Sequence, residues 1–79
     1  MNSEFNPTKT LDVKGFLCPI PVIKAKKAIE QIPSGSVLMV QATDPAAESD
    51  ITVWTKRAGH ELLKLIVEGD VLTFYVRKQ

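Results

Sequence analysis

The chain has 79 residues, 44% of them hydrophobic, and ten Lys or Arg against nine Asp or Glu give it a net charge of +1. This length makes one domain; the charge balance excludes a dedicated nucleic-acid binder with a strongly basic face, and no apolar run approaches the roughly 18 residues of a membrane span. A single cysteine forms no internal disulfide, so the chain lacks the framework of a small secreted domain and is expected in the cytoplasm, where a thiol stays reduced.

Residues 1–9, MNSEFNPTK, lack the apolar stretch of a signal peptide and read as a flexible polar tail, leaving residues 10–79 as the domain. Thr10 to Lys14 alternates apolar and polar, the pattern of a short strand with Leu11 and Val13 inward. Gly15 breaks it. Residues 21–32 place Val22, Ala25, Ile29 and Ile32 at helical spacing, with Lys24, Lys27 and Gln31 opposite. Whether this helix starts at Pro19 or Pro21 is open, since each proline disfavours helical backbone in the residue before it. Pro33 to Gly35 ends it. Ser36 to Ala42 is nearly all apolar, as in a strand flanked on both sides, with Met39 expected in the core.

Asp44 is then a good N-cap, and Pro45 suits the first helical position. Ala47, Ile51, Trp54 and Ala58 form one stripe expected to be buried. Lys56 and Arg57 lie where cations oppose the helix dipole, and Gly59 is the natural terminator. His60 to Val67 reads as a third strand, Gly69-Asp70 as a two-residue hairpin loop, and Val71 to Val76 as a fourth strand. The order βαβαββ predicts an α+β two-layer sandwich, two helices on one face of a four-stranded mixed sheet. A βαβ crossover makes the first two strands parallel. The loops holding Cys18 and Asp44 then share the C-terminal edge of the sheet, where ligands and chemistry favour open sheets of this kind. His60 falls at the opposite edge. Strands 1 and 3 are possible pairing edges.

A lone cysteine is first of all a small buried hydrophobe. Three features argue otherwise for Cys18. It sits at a helix N-terminus, whose dipole favours thiolate. Pro19 and Pro21 remove two amide protons and stiffen its loop. It also lacks both a second cysteine for disulfide exchange and a neighbouring histidine base, which suits a carrier better than a complete enzyme. On this reading Cys18 alkylates faster than free cysteine at neutral pH.

The run GFLCPIPV, Gly15 to Val22, resembles the Gly-x-x-Cys-Pro-x-Pro motif of the TusA/SirA-like sulfur-carrier family. The likeness continues through Leu11-Asp12, Thr43-Asp44-Pro45 and Gly59-His60-Glu61, over roughly residues 10–77. It implies the same βαβαββ sandwich, and a cysteine that accepts sulfane sulfur as a persulfide and passes it on. Carried onto this chain, Cys18 is the persulfide site, Gly15, Pro19 and Pro21 shape its loop, and Asp44 is the acidic loop residue. The implied partners are a cysteine desulfurase or other persulfide donor and a downstream sulfur acceptor, as in tRNA 2-thiouridine modification; relatives serve molybdenum-cofactor assembly, sulfur oxidation or sulfur-compound uptake. No metal or organic cofactor is implied. The position between the prolines, often acidic in TusA, is Ile20 here; with Phe16 and Leu17 it gives the loop an apolar rim, which either caps the core or, if exposed, forms a small docking patch. Lys24 and Lys27 read as a solvated helix face, or as charges that speed encounter with an acidic partner. A small interaction module with a non-catalytic cysteine is the alternative function. RNA binding is suggested only by analogy with other small α/β domains.

Overall fold

The computed structural model describes residues 6–79. The chain runs β1 (Lys9–Val13), α1 (Ile20–Glu30), β2 (Val37–Ala42), α2 (Ala46–Ala58), β3 (Glu61–Glu68) and β4 (Val71–Arg77). The expected tail lies partly outside the described residues; within them, the Thr8 amide already donates to the Val37 carbonyl at 2.7 Å, and Lys9 opens β1.

The sheet order is β1-β2-β4-β3. β1 pairs β2 in parallel, and β4 pairs both β2 and β3 antiparallel. The sheet is therefore mixed, with β1 and β3 at its edges. Strand alternation decides what is buried. Leu38, Val40 and Ala42 of β2 lie opposite Val76, Phe74 and Leu72 of β4, and all six are buried. Ala25, Ala28 and Ile29 of α1 and Ala47, Ile51 and Trp54 of α2 complete the core above them. Met39 is one residue out of phase with Leu38 and Val40, so it lies on the sheet face away from the helices and is half-buried rather than in the core.

The helices differ from expectation at their ends. α1 begins at Ile20, with Pro19 as the cap residue, and closes at Glu30. Ile32 is buried but packs from the turn beyond. In α2 Ala58 is exposed, and Thr55 is buried in its place in the last turn. Its hydroxyl donates to the Thr52 carbonyl at 2.8 Å, which lets a polar side chain be buried without loss. Gly59 ends α2 in the left-handed region, at φ 82°. Between β3 and β4, Gly69 and Asp70 form a two-residue loop with positive φ at Gly69 alone, the arrangement expected of a II′ hairpin.

Candidate functional site

The parallel pairing of β1 with β2 carries the loops that follow them to one edge of the sheet. There the β1–α1 loop is fixed almost entirely by its backbone amides. The Lys14 amide donates to Asp12 Oδ1 at 2.9 Å. The Gly15 amide, at φ 87°, donates to Thr43 Oγ1 at 2.9 Å. The Phe16 amide returns to the Val13 carbonyl at 3.2 Å and the Ile20 amide to the Leu17 carbonyl at 3.0 Å.

The Cys18 amide donates to Asp44 Oδ2 at 2.6 Å. The other oxygen of that carboxylate accepts the Ala46 amide at 3.2 Å, and the Asp44 carbonyl accepts the Ala47 amide at 2.9 Å. The cap position of α2 falls on Pro45 rather than Asp44, and the helix opens at Ala46; Asp44, one residue earlier, still supplies the side-chain acceptor of a cap and ties the cysteine loop to the start of α2. Pro21 is fully buried and anchors the first turn of α1, while Pro19 is exposed; the Cys18–Pro19 peptide bond is cis.

Cys18 itself is exposed. Its thiol donates to Asp50 Oδ2 at 2.8 Å. The expectation of a dipole-stabilised thiolate is reversed here. The hydrogen bond to Asp50 pushes the Cys18 pKa above its ordinary range, and partial desolvation and the charges of Asp50 and Asp44 push it the same way. The physical reason is local: two carboxylates face the sulfur, and a helix dipole amounts to a fraction of one charge. Fast alkylation at neutral pH is accordingly no longer expected.

Asp50 is the site residue that sequence reasoning missed. A signal for it existed. Asp50, Val53, Trp54 and Arg57 recur at i, i+3, i+4 and i+7, which makes a second face of α2 beside the core stripe. Across from it α1 presents Val22 and Lys26, continuing from Cys18 and Pro19. Together these residues line a groove of about 570 Å³ between the two helices, with Cys18 and Asp50 part of its wall. Trp54 is thus core and groove at once, buried to 8% exposure.

The apolar rim is exposed: Phe16, Leu17 and Ile20 lie around the cysteine, with Leu17 at 70% of full exposure, and Ile23 extends the patch along α1. Lys24 reaches back over the Phe16 ring, its Nζ 5.1 Å from the centroid. Lys27 is exposed on the same helix. His60 does not join the site. Its Nδ1 accepts the Gln79 amide at 3.1 Å and its ring meets Trp54 edge-on at 5.5 Å, beyond the far end of α2. Among the described residues no three metal-binding side chains gather. What the arrangement offers chemically is one exposed thiol, held by its backbone in a rigid loop, hydrogen-bonded to Asp50 and flanked by an exposed apolar rim.

Residues 9–78 match the family model described as Sulfurtransferase TusA. The chain is 47% identical over 70 residues to YrkI of Bacillus subtilis, covering 89% of this chain and 93% of that one. It is 40% identical over 68 residues to the sulfur carrier protein TusA of Allochromatium vinosum, covering 86% and 90% respectively. A SirA-like protein of Desulfitobacterium hafniense, solved by crystallography, superposes with a TM-score of 0.77 at 27% identity, over 87% of this chain and 95% of that one.

Proposed function

Because the chain belongs to the TusA sulfurtransferase family, we propose that it is a cytoplasmic sulfur carrier in which Cys18 holds sulfane sulfur as a persulfide between a donor and an acceptor protein. The donor is a cysteine desulfurase or another persulfide-bearing protein, and the acceptor belongs to a sulfur-trafficking route such as tRNA 2-thiolation. The observation that carries this reading is an exposed thiol whose own amide is fixed by Asp44 at 2.6 Å. A loop held this way presents one sulfur atom in one place without spending entropy at each encounter.

The chemistry is two exchanges. In loading, the Cys18 thiolate attacks the outer sulfur of the donor persulfide. A bond to Sγ forms, the donor's S–S bond breaks, and the donor cysteine leaves as thiolate and takes up a proton. In unloading, an acceptor thiolate attacks the outer sulfur now on Cys18, and Sγ is the leaving group. The sulfane sulfur is transferred in the same oxidation state, so no outside oxidant or reductant enters. Both steps depend on thiolate fraction and access. The apolar rim of Phe16, Leu17 and Ile20 suits burial of the sulfur in a partner during transfer, and Lys24 and Lys27 add attraction to an acidic partner surface.

Mass spectrometry after incubation with a cysteine desulfurase and cysteine tests this. The wild type gains the mass of one sulfur, lost again on reduction, and Cys18→Ser gains none. A wild type that acquires no sulfur, or a Cys18→Ser variant that acquires as much, overturns the reading and favours an interaction module with a silent cysteine.

A further inference from the structure

Asp50 stands on the second helix, in contact with the sulfur and with no evident part in shaping the loop. Its Oδ2 lies 2.8 Å from Cys18 Sγ, and among the described residues no cation pairs with it. A carboxylate only accepts hydrogen bonds, so the thiol is the donor in this contact. A thiolate there would set two anions against each other at hydrogen-bond distance, which disfavours the second ionisation. We propose that Asp50 is a restraining residue for Cys18: it holds the sulfur in its unreactive thiol form in the free carrier, and exchange is switched on when a partner brings a cationic side chain to the Asp50 carboxylate.

This inference rests on Cys18 being the persulfide site and explains a difficulty in that reading. A thiol at a helix N-terminus that was freely ionised would exchange sulfur with any small thiol or persulfide it met. Asp50 opposes both directions. The empty carrier has little thiolate with which to attack. In the loaded carrier Sγ is the leaving group, and a thiol that resists ionisation leaves slowly. The charged groups around Cys18 are Asp50 on α2, Asp44 in the β2–α2 loop, and Lys26 and Arg57 along the groove. Of these, the two carboxylates push the Cys18 pKa up, with Asp50 the larger influence. Asp44 is committed to the Cys18 and Ala46 amides, which leaves Asp50 as the group a partner can neutralise. The partner surface is thereby specified: a Lys or Arg placed so that it meets Asp50 as the partner's reacting sulfur meets Cys18.

The test uses the full chain and two variants of opposite charge demand. Asp50→Asn removes the charge, and Asp50→Lys supplies in place the cation that a partner would bring. The first reading is alkylation by iodoacetamide across pH, which needs no bound sulfur. For each unit by which a substitution lowers the Cys18 pKa, thiolate at neutral pH rises about tenfold and the nucleophilicity of each thiolate falls about threefold, for a net gain of about threefold. Rates at pH 7 are expected to rise from wild type to Asn to Lys, with the midpoint of the pH profile falling in the same order. The second reading is release of thiocyanate when cyanide takes the outer sulfur from carrier loaded by a cysteine desulfurase; Sγ leaves in this step, and the same order is expected. Variants that alkylate no faster than wild type and keep its midpoint overturn the role of Asp50. A wild type that takes up no sulfur overturns the carrier reading instead, while the alkylation series still decides what Asp50 does to the thiol.

Discussion

At Asp44 the two carboxylate oxygens serve two elements, the Ala46 amide of α2 at 3.2 Å and the Cys18 amide of the first loop at 2.6 Å. Asp44→Ala removes a helix cap, which costs about 1 kcal/mol, and strips the Cys18 amide of its acceptor as well. A loss of about 1–2 kcal/mol of stability is expected, read from a lower urea midpoint, together with faster amide exchange at Cys18. Asp44→Asn keeps one acceptor oxygen and is expected to retain the cap while loosening the loop. The capping role was legible in Thr43-Asp44-Pro45, because capping is local. The tie to Cys18 and the contact of Asp50 with the sulfur were not, since they depend on how α2 lies across α1. The thiolate expectation failed for the same reason. It was drawn from one helix dipole, and the opposing charge arrives from 32 residues further along the chain.

Among the elements, the sequence pattern identified both helices and all four strands, and the misplacements lie at the end of one helix and on one strand face. The stripe Ala47, Ile51, Trp54 keeps to the core, but its last member, Ala58, has passed beyond what covers it. Met39 shows the converse: in a nearly continuous apolar run both faces look alike, and only the pairing of Leu38 with Val76 and Val40 with Phe74 fixes which is inward. Gly59 is the most exacting position of α2. Its φ of 82° disfavours any residue with a β-carbon, and that carbon would also run into the side chain of Gln79. The Gln79 side chain is flexible and able to move, so backbone strain dominates. Gly59→Ala is expected to lower stability by about 1–2 kcal/mol, read as a fall in the thermal midpoint with no change in Cys18 alkylation.

At the scale of the molecule, two helices cover one face of the sheet; the Cys18 loop and the apolar rim lie at one end of that layer, where the groove that runs between the helices begins. Leu17, more exposed than any other large apolar side chain described, contributes little to the fold, and its exposure is the strongest mark of a docking surface. Leu17→Glu is expected to leave stability within about 0.5 kcal/mol of wild type, as surface changes usually do, with a thermal midpoint close to that of wild type. The same variant is expected to slow sulfur loading from a cysteine desulfurase by about tenfold, a loss of about 1.4 kcal/mol at an interface, while loading from inorganic polysulfide is unchanged. Equal loading from both sources would remove Leu17 from the docking surface.

The strand order carries a consequence for how this molecule comes into being. β4 is the last element in the chain yet lies between β2 and β3, so it is the seam that joins the two halves of the sheet. During synthesis, when residues emerge at about 5–20 per second, the first three strands leave the ribosome before the strand that unites them exists. Until it arrives, β2 lacks one of its two neighbours, and the sheet that carries the Cys18 loop is unfinished. Closure of the sheet thereby waits on β4, and so does the frame that sets Cys18 against Asp44 and Asp50.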